Sequence, residues 1–296
     1  MLISIYINAL NYSMFRSSLL IAAATVTSYA GSERTPVAVL PDKSQYHLFN
    51  PAPRELMREM STDRPDTTES PYSVDAGHFQ VEMSVFDYSR DRADGLRVDT
   101  WTLGAVNLKA GLTERVDFQV VVDAYTEERT RVGEVDHTLS GFSDVILRLK
   151  TNLWGNEGNR TALAIMPYLK IPTDSHLSNG RCEGGVILPF ATSLTERVGL
   201  GLMLEADFVH DETNGGYDVE WLHSAVVGFD LTKDLGCFVE YVGVASPEAG
   251  FDYQASFHVG FTFAVSNNLV LDTGIRIGLN EAAEDVGVFA GLSIRF

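Results

Sequence analysis

The stretch Val198-Gly199-Leu200-Gly201-Leu202-Met203-Leu204-Glu205-Ala206-Asp207-Phe208 sorts its side chains into two sets. Val198, Leu200, Leu202, Leu204, Ala206 and Phe208 fall on one side of an extended chain; Gly199, Gly201, Met203, Glu205 and Asp207 fall on the other. A period of two is that of a β-strand, whose successive side chains point to opposite faces. Residues 251–265 repeat it, with Phe251, Tyr253, Ala255, Phe257, Val259, Phe261 and Phe263 opposite Asp252, Gln254, Ser256, His258, Gly260 and Thr262. Residues 269–279 set Asp272 and Arg276 against leucines and isoleucines, and 286–296 set Ser293 and Arg295 against Leu292, Ile294 and Phe296.

Twelve such runs follow residue 77: 78–89, 99–112, 116–126, 143–154, 161–171, 185–193, 198–209, 219–231, 236–245, 251–265, 269–279 and 286–296. Most are about 10 residues long, enough to cross a bilayer when tilted, whereas strands of a soluble sandwich run nearer 5–6. In the second, Trp101 and Leu103 are out of phase with Val106, Leu108 and Ala110, which predicts a bulge. Alternate links are short and alike, as in Leu112-Thr113-Glu114-Arg115-Val116 and Leu194-Thr195-Glu196-Arg197-Val198. The others, 90–98, 127–142, 172–184, 210–218, 246–250 and 280–285, are longer and polar. Tight turns at one end and long loops at the other predict an all-β fold over 78–296, an antiparallel up-and-down barrel of the bacterial outer membrane with about 12 strands. A propeller would need four strands per repeat, not two.

Aromatics sort to the strand ends, as the girdles of such barrels require. Phe79, Phe118, Phe229 and Phe296 are expected on the periplasmic side, and Phe208, Trp221 and Tyr253 on the outer side. The chain stops on Leu292-Ser293-Ile294-Arg295-Phe296, and Phe296 resembles the terminal aromatic that the barrel-assembly machinery reads. At the other end, Arg16, the apolar run from Leu19 to Val26 and the small residues Ser28 and Ala30 predict a signal peptide over 1–30, with Met14 as an alternative start. Residues 31–77 are left as a periplasmic extension or a plug, with a short helix expected over 56–60. Acidic residues outnumber basic ones 40 to 22, which argues against a nucleic-acid partner, since a phosphate backbone wants a basic face. The expected partners are outer-membrane lipid and lipopolysaccharide, the assembly machinery and a small solute. Cys182 and Cys237 are expected at opposite ends of the barrel, too far apart to bridge.

The segment Ser61-Thr62-Asp63-Arg64-Pro65-Asp66-Thr67-Thr68-Glu69-Ser70-Pro71, followed by Val74-Asp75-Ala76-Gly77-His78-Phe79-Gln80-Val81-Glu82, resembles the start of the MetA-pathway phenol-degradation family. Leu108-Lys109-Ala110-Gly111-Leu112-Thr113, Leu169-Lys170-Ile171-Pro172-Thr173 and Glu183-Gly184-Gly185-Val186-Ile187-Leu188-Pro189-Phe190 resemble the same family. The resemblance spans 61–296 and implies an outer-membrane transporter barrel that passes small organic molecules. It brings no catalytic or binding residues.

Function in a barrel lives on the inward face. The inward candidates are Glu82, Lys109, Asp117, Asp123, Asp144, Arg148, Lys150, Lys170, Glu205, Asp207, Glu240, Asp252, His258, Asp272, Arg276 and Arg295. Two readings stay open: a channel for passive uptake of small organic, aromatic or hydrophobic molecules, or a structural barrel with a charge-paired, plugged lumen. For Arg148, Lys150 and Lys170, salt-bridged scaffolding with Asp144 and Asp123 is favoured over a cationic patch. A third, more distant reading comes from His176-Leu177-Ser178-Asn179-Gly180, which resembles the His-x-Ser-Asn-Gly sequence of outer-membrane phospholipase A. Here it falls in a loop and not in a strand, so no enzyme is expected. The histidines have no metal-ligand spacing, and neither a phosphate loop nor a dinucleotide fingerprint occurs, so no metal or cofactor is expected.

Overall fold

A computed structural model describes residues 42–93, 95–173, 175–211, 215–248 and 251–296. The expected signal peptide, its alternative start at Met14 and residues 31–41 lie outside the described residues, as do the loop acid Glu212 and its neighbour Thr213. The strands are β1 (Phe79–Ala93), β2 (Leu96–Gly111), β3 (Val116–Val132), β4 (Val135–Gly141), β5 (Val145–Trp154), β6 (Thr161–Ile171) and β7 (Glu183–Ser193). They continue with β8 (Val198–His210), β9 (Tyr217–Asp230), β10 (Leu235–Ala245), β11 (Gln254–Ser266), β12 (Leu269–Gly278) and β13 (Val286–Arg295). Apart from β4, each pairs antiparallel with the next strand of the ring, β3 with β5, and β13 returns to β1 with Arg295 opposite Gln80, so twelve of the strands close a barrel. Closure leaves the twelve-strand wall without a terminal edge strand, which an apolar surround demands.

The extra strand is β4. The lower part of β3 pairs with β5, from Val116↔Thr151 to Val121↔Ile146, and its upper part pairs with β4, from Thr126↔Gly141 to Val132↔Val135. β3 therefore projects past the wall, and β4 folds back through Gly133 (φ 59°) to cover the edge it would otherwise leave bare. The long loops expected at 90–98 and 127–142 are thus largely strand. Their alternation was hidden because Glu127, Glu128, Arg129, Thr130 and Arg131 are polar on both faces. Nothing there is buried in lipid, and Arg129 bonds Asp136 across the hairpin (Nε to Oδ1, 2.8 Å) in place of apolar packing.

The phase break expected in β2 falls at Gly104, which has φ 66°. Below it Ala105, Asn107 and Lys109 are buried; above it Thr100 and Thr102 are. Its neighbours break at the same height: β1 bulges between Ser84 and Phe86, and in β3 burial passes from Asp123 to Thr126. One defect crosses three strands, and it re-aims the inward side chains of that wall. The outward face carries exposed Leu108, Leu149, Leu169, Leu202, Leu204, Leu271 and Ile277. Phe79, Phe229 and Phe296 are exposed at the turn end, with Phe118 half-buried; Phe208, Trp221 and Tyr253 are exposed at the loop end.

Two expectations are corrected. Asp252 is exposed and precedes β11, so it does not face the lumen. The ladder with β10 ends at Val244↔Gln254, because β10 runs out at Ala245 and Pro247 has no N–H with which to extend it. Residues 56–60 are not a helix; a single 3-10 turn at Arg54–Leu56 stands nearby. Cys182 lies in the loop before β7 and Cys237 two residues past the tight turn before β10.

Candidate functional site

The lumen is built from small and charged inward residues, and their partners come from the chain before β1. Residues 62–64, 66–71 and 73–76 are buried within the ring. His78 fixes the base of this inner segment, with Nδ1 3.0 Å from the Phe296 carbonyl and Nε2 2.8 Å from that of Ala52. Low in the barrel, the Val74 N–H donates to Asp117 (3.0 Å) and Arg295 lies 3.5 Å from Asp75. Higher up, the Asp63 carboxylate takes Lys150 at 2.5 Å and also Lys109, while its backbone N–H donates to Glu82, which Lys109 bonds as well. Arg64 reaches across to Asp272 at 2.7 Å and lies over the Phe289 ring at 5.9 Å.

The tip of the segment is held by Glu240. Its carboxylate accepts the N–H groups of Thr67 (2.8 Å) and Thr68 (2.7 Å) and the Thr68 hydroxyl (2.7 Å), and it faces His258 Nδ1 at 2.8 Å. Beside it Glu69 Oε1 accepts from Arg148 Nη1 at 2.7 Å. Burial, and then the charge of Asp63, push the Glu69 carboxyl up to about 8 against the pull of Arg148, Lys150 and Lys109. Asp63 moves the other way: burial opposes its charge, but Lys109 and Lys150 hold it well below the usual carboxylate range.

Towards the loop end the remaining charges pair along the wall. Arg276 donates to Asp87 (Nη1 to Oδ2, 2.9 Å), and Lys170 sits 2.5 Å from Glu183 and 3.7 Å from Asp144. Tyr168 donates to Asp207, near Glu205, and Asp123 is buried beside Ser143. Arg148, Lys150 and Lys170 therefore form no common cationic patch. Each serves a different acid, and two of those acids, Glu69 and Asp63, lie on the inner segment and not on the wall. Among the described residues no group of His, Cys, Asp and Glu is arranged to hold a metal ion. His176 is exposed, and the Ser178 hydroxyl accepts the Gly180 N–H (3.1 Å), a local turn bond and not a nucleophile–base contact.

One part of the inner wall is apolar. Met166, Ile187, Met203, Leu222 and Val242 form a buried cluster on β6–β10, with Tyr168 and Val244 packed on it. The Glu69 N–H points at Met203 Sδ (3.3 Å), so the cluster adjoins the segment's tip. The wall is also discontinuous here. The β5–β6 ladder breaks off at Arg148↔Tyr168 and resumes at Thr151↔Ile165, skipping Pro167. The β6–β7 ladder breaks off at Leu163↔Phe190 and resumes at Met166↔Ile187, skipping Pro189. A proline gives a ladder no N–H, so residues 166–167 of β6 lose their β5 partners and the next two, 164–165, lose their β7 partners, and each keeps pairing on its other edge. Both prolines were visible in sequence; that they flank one strand follows only from the register.

The family described as Putative MetA-pathway of phenol degradation matches residues 62–296 of this chain. No curated protein matches it. Among solved structures it is similar to the COG4313 outer membrane channel from Pseudomonas putida F1, at 16% identity and a TM-score of 0.57, over 79% of this chain and 99% of that one. It is also similar to the NanC porin (8% identity, TM-score 0.48, 73% of this chain and 98% of that one). The CymD monoaromatic hydrocarbon channel matches at 8% identity and a TM-score of 0.41, over 74% of this chain and 87% of that one. The shared fold is that of an outer-membrane channel, and the closed, lipid-faced barrel places this chain in the bacterial outer membrane.

Proposed function

The chain belongs to the MetA-pathway phenol-degradation family, and from that premise we propose that it is a passive outer-membrane channel for small apolar, notably aromatic, molecules. The inner segment acts as a plug: its charged anchors fill the lower lumen and bar a straight aqueous path. One observation carries the reading. The two adjacent ladder gaps of β6, at 166–167 toward β5 and at 164–165 toward β7, lie where the inner wall is apolar and the plug tip ends. A solute entering from the loop end meets Met166, Met203 and Leu222, and the weakest part of the wall beside them gives on to lipid. Strand separation there starts from two gaps in the ladders and has fewer bonds to break than elsewhere in the wall, so the exit is sideways into the membrane. Apolar molecules suit such a route and sugars do not. The COG4313 relative, named an outer membrane channel, supports the fold on which this rests.

The test is to staple the seam. The register sets Leu149 opposite Pro167, so Leu149→Cys with Pro167→Cys, in a chain with Cys182→Ser and Cys237→Ser, would bridge β5 to β6. Uptake of a labelled monoaromatic into lipopolysaccharide-containing vesicles should fall when the bridge forms and recover on reduction. Equal uptake in both states would refute the lateral route. A blocked structural barrel predicts no uptake above protein-free vesicles in either state. Outside the barrel, Arg90, Arg97, Arg129 and Arg131 share the face of exposed Trp101 at its loop end, which supports contact with lipopolysaccharide phosphates. Phe296 follows the last strand with its N–H bonded to the Phe79 carbonyl (2.9 Å) and its ring exposed, which supports reading it as the terminal aromatic that the assembly machinery engages.

A further inference from the structure

The Arg148–Glu69 pair is bonded through one atom on each side, Nη1 to Oε1 at 2.7 Å. The other faces of the two groups are unused: Arg148 Nε and Glu69 Oε2 are both buried, and neither has a hydrogen-bond partner among the described residues. A buried donor or acceptor without a partner costs on the order of 1–3 kcal/mol, so two in one hydrogen-bonded pair mark a place built for something more. The surroundings restrict what that is. On one side lies the apolar cluster, for Tyr168 pairs with Arg148 across the β5–β6 ladder and packs on Met166, and Met203 Sδ receives the Glu69 N–H. On the other lie the acids Asp63, Glu205 and Asp207.

We propose that this junction is a recognition site for the hydroxyl group of a small apolar solute, seated between Arg148 Nε and Glu69 Oε2 with its hydrocarbon body on Met166, Met203 and Leu222. A hydroxyl oxygen accepts from the guanidinium N–H. Its hydrogen then donates to Glu69 as a carboxylate, or its second lone pair accepts from Glu69 as a carboxyl, so the fit survives either protonation state. A hydrocarbon leaves both atoms unpaired. A carboxylate meets the arginine but brings a negative charge among Asp63, Glu205 and Asp207. The inference rests on the channel reading and names the chemistry it selects. It also ties the cargo to the plug, since Glu69 belongs to the inner segment and Arg148 to the wall.

The experiment uses the full protein in nanodiscs and fluorine NMR, with protein-free nanodiscs subtracted. The probes are 4-fluorophenol, fluorobenzene, 4-fluorobenzoate and 5-fluoropentan-1-ol. Saturable binding of 4-fluorophenol at least tenfold tighter than fluorobenzene, with no binding of 4-fluorobenzoate, is expected. Comparable binding of 5-fluoropentan-1-ol would assign the site to hydroxyl groups generally; its failure would restrict the site to phenols. Arg148→Lys keeps the cation opposite Glu69 but removes the Nε donor, and should lower 4-fluorophenol affinity about tenfold while leaving fluorobenzene unchanged. Equal affinities for fluorobenzene and 4-fluorophenol, or no effect of Arg148→Lys in a barrel that keeps its heat-modifiable band, would overturn the hydroxyl site and leave the channel reading standing. Absence of binding by all the neutral probes would overturn both.

Discussion

Glu240→Gln is the most direct way to loosen the inner segment without touching the barrel. Three donors of the segment end on this carboxylate: the N–H of Thr67, the N–H of Thr68 and the Thr68 hydroxyl, at 2.7–3.0 Å. Hydrogen bonds to a charged group contribute about 1.5–3 kcal/mol each. Glutamine is nearly isosteric and keeps one oxygen, so part of this survives. Its amide NH2, however, replaces Oε2 and confronts the Thr67 N–H, which keeps only its longer bond to Oε1 (3.0 Å), and all three donors lose the charge of their acceptor. A net loss of about 2–4 kcal/mol follows, which lowers the docking equilibrium of the tip roughly 30- to 1000-fold at about 1.4 kcal/mol per decade. The ladder bonds of β10 to β9 and β11 are backbone bonds and are unaffected, so the barrel should keep its heat-modifiable band. Two readouts check this in the full-length chain. Backbone amide exchange at residues 66–69 should accelerate, and ion conductance in planar bilayers should show openings absent from the parent. Unchanged protection at 66–69 would refute the Glu240 anchor; faster exchange without new conductance would refute the idea that the segment is what blocks the lumen.

The two perturbed acids of the segment titrate in opposite senses. Glu69, raised to about 8, favours docking while protonated, so its contribution is complete below the ordinary carboxylate range and is lost as pH rises through about 8. The groups facing it are Asp63 on its own segment, Arg148 and Lys150 on β5, Lys109 on β2 and Glu205 on β8. Asp63, lowered by Lys109 and Lys150, contributes above the ordinary range and fails only in strong acid. Amide exchange of 62–70, corrected for its intrinsic pH dependence, should therefore be slowest in mildly acidic solution, quicken progressively as pH rises to about 8 and level off beyond it; the reverse order would refute the assignment. Arg64→Ala strands Asp272, buried and stripped of the one cation that pairs with it among the described residues, and should destabilise the docked segment by about 3–5 kcal/mol, measurable as protease sensitivity near residue 64. Gly77→Ala should release the segment's base, because a Cβ there would lie 2.5 Å from Pro51 at a φ of +75°; faster exchange at 74–78 would register it. Asp136→Asn, by contrast, breaks an exposed pair of the β3–β4 ribbon and should change unfolding by less than about 1 kcal/mol.

The barrel was legible in the sequence because lipid on one side and a filled lumen on the other impose a period of two on every strand that crosses. That rule located the walls, the short turns at one end, the inward charges from Glu82 to Arg295 and the phase break at Gly104. It failed where its cause is absent. Residues 127–141 stand clear of the lipid, so no apolar alternation announced a strand, and Asp252 kept the alternation of its neighbours one turn after the ladder had ended. Residues 62–76 have no period, since a segment that meets a different wall at each residue repeats nothing. Their acids and hydroxyls were plain, but not that Asp63 answers Lys109 and Lys150, Glu69 answers Arg148, and the Thr67 and Thr68 amides answer Glu240. Those pairings join positions 46–173 residues apart, and only the closure of the ring brings them together. Pro167 and Pro189 are the same case: each reads alone as a weak point in its own strand, and only the register sets Pro189 of β7 against the strand that carries Pro167, beside the apolar wall.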